Sequence, residues 1–134
     1  MTESFLQSLN VSLSKTGGSV RMATPVELNA LEYAVMVKTS FNERALTGIL
    51  DDWSVVMLAL SHGEGERAHL VGELVGTTKI RVTSMVTELG LTQGFAMTEH
   101  GSVYQLGNPR QGEPDLNQVL ALAKTIASWK GIEP

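Results

Sequence analysis

Few residues have types and spacing that could do chemistry. Three histidines occur, His62, His69 and His100. His62, Glu64, Glu66 and His69 have the donor types of a divalent-metal site. Their spacing covers a loop and a strand start and matches no recurring ligand pattern, so a solvated turn is expected and no metal. Glu99 beside His100 suggests general acid–base work. At the tip of a hairpin the pair would have no enclosing cleft. Asp51 and Asp52 are adjacent carboxylates, but neighbours on a strand point to opposite faces and cannot readily share a ligand. They read as a turn. Gly63-Glu64-Gly65-Glu66 is glycine-rich yet acidic, and no Lys-Ser/Thr follows, so it is no phosphate cradle. Gly72 and Gly76 have GxxxG spacing in a strand context, which excludes a helix-dimer motif. No Ser/His/Asp set assembles. Neither catalytic residues nor a cofactor are expected.

Composition narrows the classes further. The 134 residues suit one domain, 1–134, and the 43% apolar fraction is ordinary for a packed core. A net charge of -4 with scattered basic residues argues against general nucleic-acid binding, which needs Lys/Arg neutralisation of phosphates. Cysteine is absent, which removes disulfides, thiolate metal sites and a thiol nucleophile. The first residues lack a secretory signal pattern, and no apolar window reaches membrane-spanning length. A cytoplasmic protein without a membrane partner is expected.

The elements that must position these residues can be read from patterning. Residues 53–60, 67–75, 79–88, 95–99 and 102–106 read as five antiparallel strands. His100-Gly101 is the clearest turn between them. Placing loops at 62–65 and 76–78 pairs Trp53, Val55, Met57 and Ala59 with Leu74, Gly72, Leu70 and Ala68. It pairs Leu74 with Ile80 and Gly72 with Val82, and across His100-Gly101 it pairs Met97 with Tyr104 and Phe95 with Leu106. Gly72 then leaves room for Trp53 or Val82. Arg81, Thr83, Thr87 and Thr98 lie on a solvated outer face. Val56, Leu58, Val71 and Val75 make the first strands apolar on that side too.

Thr24-Pro25-Val26-Glu27 is a capping box with Pro at the first helical position, and it predicts a largely buried helix over 25 to about 38. Ser40-Phe41-Asn42-Glu43 repeats the box, with Gly48 as a stop, and predicts a short helix over 41–47. Pro114, at or near the first helical position, opens a last helix over 114–130. Its apolar stripe is Leu116, Val119, Leu120, Ala123, Ile126 and Ala127, and Gly131 ends it. Phe5, Leu6 and Leu9 have helical spacing. The remainder of 1–23 reads as a hairpin around Lys15-Thr16-Gly17-Gly18 or a loosely packed arm.

Over residues 53–106, the run Leu70-Val-Gly-Glu-Leu-Val-Gly76, then Ile80-Arg-Val-Thr-Ser84, then Thr98-Glu-His-Gly-Ser-Val-Tyr-Gln-Leu106, resembles small uncharacterised proteins of bacterial and phage genomes. No named family is assigned. The resemblance implies a small β-meander and no activity.

The expectation is a single α+β domain. A meander of about five strands is packed by N-terminal helical segments and a C-terminal helix. The leading functional expectation is a non-enzymatic module that binds a protein partner, specifically a phage or mobile-element inhibitor of a host defence complex. One alternative is a small-ligand-binding or enzymatic domain with a pocket between sheet and helices. Another is a homodimer. The interaction surface would comprise Arg81, Thr83, Thr87 and Thr98, with Val56, Leu58 and Val71 as a dimer face where no helix covers them.

Overall fold

Helix starts in the structure follow local chemistry. The structure is a computed structural model and describes residues 4–37, 46–61, 65–92 and 94–131. Helix α1 (Phe5–Ser14) begins at a capping box between Ser4 and Gln7. Helix α2 (Pro25–Val37) begins at the expected box: the Glu27 carboxylate accepts the Thr24 N–H at 2.8 Å, and Thr24 Oγ1 accepts the Glu27 N–H at 3.3 Å. Helix α3 (Leu116–Trp129) is capped by Asp115, with Pro114 just outside it. It is followed by Gly131 at φ 71°, a left-handed stop suited to glycine.

Among the described residues seven strands form one mostly antiparallel, meander-like sheet: β1 (Ser19–Met22), β2 (Leu46–Ala59), β3 (Arg67–Leu74), β4 (Ile80–Val82), β5 (Val86–Gly90), β6 (Phe95–Thr98) and β7 (Val103–Leu106). Their order is β4-β3-β2-β7-β6-β5. Strand β1 pairs antiparallel with the end of β2, whereas β7 pairs parallel with its start.

The connection from β4 to β5 dictates the shape. These strands are the two ends of the order, yet only residues 83–85 separate them. A flat sheet would hold them about 24 Å apart, five strand spacings. Four Cα steps reach at most about 14 Å. The sheet therefore curls until its ends approach, and the Glu99 N–H donates to Met85 O at 2.9 Å, extending the β5–β6 ladder into the connection.

Curling creates two main cores, beside a small cluster of Met97 and Val103 with Phe95 against them. The concave side holds Leu50, Val55, Leu70, Val86, Leu89 and Tyr104, with Leu28 and Leu31 of α2 against them. On the convex side α1 and α3 cover Val20, Val56, Leu58 and Val71 with Leu6, Leu13, Val119, Leu122 and Ile126.

Several expectations change here. Residues 4–22 are neither a hairpin nor a loose arm, because Leu6, Leu13 and Val20 are buried in the convex core. Over residues 25–32 helix α2 is only half-buried, and Val26 is 77% exposed. The second capping box, Ser40 to Glu43, lies outside the described residues. Gly48, expected to stop that helix, sits within β2. The α3 stripe is rotated: Leu122 is buried while Leu116 and Leu120 are exposed.

Loop lengths explain the register differences. Leu58 pairs with Arg67, a two-residue shift that keeps each face intact. The His100-Gly101 turn takes in Glu99 as well, with Gly101 at φ 84°. Met97 therefore pairs with Val103. Glu73, not Leu74, pairs with Ile80, and this one-residue shift turns Ile80 and Val82 toward the convex core. The expected single strand over 79–88 is interrupted at Thr83. There the Thr83 hydroxyl, not a backbone carbonyl, accepts the Leu70 N–H at 3.0 Å.

Candidate functional site

Strand alternation puts Arg67 and His69 on the side of β3 that carries Val71, toward α3. The Trp129 ring at the end of α3 lies against His69, with centroids 5.0 Å apart. The curl delivers Ser84 from the β4–β5 connection, and the Glu99–Met85 hydrogen bond draws in the β6–β7 turn with Glu99 and His100. These groups, together with Leu58, Leu60 and Gly65, line a cleft of about 330 Å³. That size falls in the usual range of small-molecule sites, about 300–1,000 Å³. Glu99 and His100, expected to have no enclosing cleft, are therefore part of a cleft wall.

His69 is the best-defined group in the cleft. It is 6% exposed, and its Nδ1 lies 2.9 Å from the Thr83 carbonyl oxygen. A carbonyl only accepts, so Nδ1 carries the proton. Burial pushes the imidazole below its ordinary value. The Thr83 backbone bond and the Glu99 charge oppose that shift, while the Arg67 charge adds to it. In the neutral ring Nε2 is then the lone-pair nitrogen, able to accept a hydrogen bond or a proton.

The cleft's charged groups are not neutralised by each other. Arg67 has no ion-pair partner among the described residues. By contrast, Arg21 holds Glu27 at 2.6 Å and Glu66 at 2.8 Å, and Arg110 holds Asp52 at 2.8 Å. Among the described residues Glu99 approaches only His100, at 3.7 Å.

The other chemistry-bearing residues that the structure describes are structural. Glu66 belongs to the Arg21 pair, and His62 and Glu64 lie outside the described residues. Among the described residues no group of His, Asp and Glu could hold a metal ion. Asp51 and Asp52 are not a turn but lie in β2 at a bulge, where Asp52 has φ 50°. Asp51 Oδ1 accepts the Asn108 N–H at 2.7 Å, and Asp52 pairs with Arg110. Gln118, 1% exposed, donates from Nε2 to Asp52 O at 2.8 Å and so ties α3 to the bulge. Gly72 makes room at this bulge: a Cβ there would meet Asp51 O at 3.0 Å and Trp53 Cβ at 3.1 Å.

The expected interaction surface does not form one patch. Arg81 is exposed opposite Gly72. Thr83 and Thr98 are buried, and Thr87 is half-buried with its hydroxyl donating to Met97 O at 3.3 Å. The Thr83 hydroxyl serves the backbone, which is why it is not solvated. Val56, Leu58 and Val71 lie beneath α1 and α3, so the uncovered dimer face does not exist.

A larger cleft of about 470 Å³ beside Leu28, Trp53 and Leu106 is mainly apolar, and the charge of Arg110 there is already taken by Asp52. Glu88 on β5 is 1% exposed, with neither carboxylate oxygen hydrogen-bonded.

Sequence patterning pointed to His69 and Glu99 separately, but not to Arg67, Ser84 or Trp129 as their neighbours. Nothing in local spacing signals that grouping, which depends on sheet curl. No family model, curated protein or solved structure matches the chain. Among the described residues no helix is long and apolar enough to cross a membrane.

Proposed function

We propose that the protein is a small-ligand-binding domain whose site is the cleft bounded by β3, the β6–β7 turn and the end of α3. The observation that supports this reading is the convergence of Arg67, His69, Ser84, Glu99 and Trp129 around one cavity. Convergent polar groups against an apolar wall are the usual make-up of such sites. A neutral His69 could also act as a base toward a bound ligand.

The test is a nuclear magnetic resonance screen with neutral, anionic, cationic and zwitterionic fragments. At least one class is expected to shift the His69 ring and Trp129 indole signals. Gly65 lines the cleft, and a Cβ there meets nothing within 4 Å, so Gly65→Phe should block the site without strain. A screen in which no class shifts these signals, or in which the shifts survive Gly65→Phe, would count decisively against the reading.

A second reading is a module that binds a protein partner, in its specific form an inhibitor of a host defence complex. Leu116 and Leu120 favour partner binding, because they are exposed one turn apart on α3. Leu116→Glu with Leu120→Glu should then abolish capture of a partner from the native host while leaving the fold intact. Unchanged capture would remove α3 from consideration.

A further inference from the structure

We propose that the cleft takes a small zwitterion of the amino-acid type, with its carboxylate on Arg67, its ammonium on Glu99 and an apolar side chain against Leu58, Leu60 and Trp129. This assignment rests on the cleft being a ligand site and specifies what it selects.

The inference comes from charge placement. Arg67 and Glu99 line the same cavity of about 330 Å³, yet no contact within 4.0 Å joins them. Glu66, the neighbour of Arg67, is committed to Arg21 at 2.8 Å, so it does not serve Arg67. His69 is neutral in its preferred state and cannot cancel the Glu99 charge. The cleft therefore presents an arginine and a glutamate that do not pair with each other; the Glu99 carboxylate has the His100 ring at 3.7 Å, and both charges are open to a ligand.

Each simpler ligand class leaves a penalty. An anion would meet Arg67 but be repelled by Glu99, and a cation would face the reverse. A neutral molecule would displace water from both charges and offer in return only hydrogen bonds to uncharged groups. A molecule carrying both charges satisfies both groups. Arg67 offers the planar donor fork that matches a carboxylate. Ser84 and His69, which line the same cavity, supply further polar atoms. The apolar share of the wall favours an aliphatic or aromatic side chain over a polar one.

The test is calorimetric titration of the full chain with L-leucine and L-phenylalanine, each compared with its N-acetyl and C-amide derivatives. At least one free amino acid should bind about tenfold or more tightly than both blocked forms, the usual scale for losing one charge-assisted contact. Arg67→Met should erase the preference over the amide, and Glu99→Gln the preference over the N-acetyl form. Both side chains reach solvent, and thermal melting of the variants checks that they fold. Blocked forms that bind as tightly as the free amino acids would overturn the assignment, as would failure of both free amino acids to bind. If fragments still shift His69 in a manner blocked by Gly65→Phe, only the zwitterion assignment falls. If they do not, the cleft reading falls with it.

Discussion

Gln118→Met tests whether one side chain holds α3 to the sheet. Gln118 is fully enclosed, and its Nε2 donates to the Asp52 carbonyl at 2.8 Å, while its 3.4 Å approach to Asp52 Oδ2 adds little. Asp52 has φ 50°, a conformation that a residue with a side chain holds only when its surroundings enforce it. Methionine has nearly the same volume, so no cavity opens and the change removes only polar contacts: the bond to Asp52 and the weaker capping-box bond in which Gln118 Oε1 accepts the Asp115 N–H at 3.4 Å. An orphaned buried carbonyl costs about 1–3 kcal/mol. This site is part-buried, so water can satisfy some of that loss, and a net destabilisation of about 1–2 kcal/mol is expected. For a domain of this size that corresponds to a drop of about 3–10 °C in melting temperature. Urea unfolding measures the first quantity and calorimetry the second. Hydrogen exchange adds a local readout. The Arg110 N–H, which donates to Trp53 O at 2.8 Å beside the bulge, should exchange faster in the variant. A stability within about 0.5 kcal/mol of wild type, with Arg110 exchange unchanged, would refute the claim that Gln118 secures the bulge.

Gly72→Ala should destabilise by about 1–3 kcal/mol in urea melts, because the new Cβ meets the backbone of Asp51 and Trp53 rather than a movable side-chain end. Glu88→Met should raise stability by about 1–3 kcal/mol, since it replaces an unpartnered buried carboxyl with an apolar group of similar size. A loss of stability would show that the carboxyl has a stabilising role. His69 should titrate below about 6.5 by its ring resonances. Its folded-state value is depressed, so the unfolded chain takes up the proton first. Stability should therefore decline as pH falls through that value, and His69→Phe should flatten that limb. Glu27 is held down at about 2 by hydrogen bonds from Arg21 and then from Thr24. Its contribution is present above the ordinary 4.5 and is lost as pH falls toward 2, so Arg21→Met should make the acid limb of the stability curve shallower.

Much of the local structure was legible in residue order. The Thr24–Glu27 box and Pro25 located the start of α2, because capping is chemistry within one turn. Alternation located β3, β6 and β7, and Gly131 marked the end of α3. Burial was legible where both sides of a strand were apolar, as at Val56, Leu58 and Val71, although not what would cover them. Register was less legible. It depends on whether a turn holds two residues or three, and Gly101 is compatible with both. That single residue decides whether Met97 pairs with Tyr104 or with Val103.

The candidate site marks where residue order stops being informative. Arg67, Ser84, Glu99 and Trp129 follow one another at intervals of 15 to 30 positions, and no local rule links them. The short connection between β4 and β5 forces the sheet to curl, and the curl brings the β6–β7 turn beside β3. Only then does a hairpin-tip glutamate share a cavity with an unpaired arginine. The histidines and carboxylates, and their types and spacing, are properties of the chain read in one dimension. Which of them meet follows from closing a sheet whose two ends are tied by three residues.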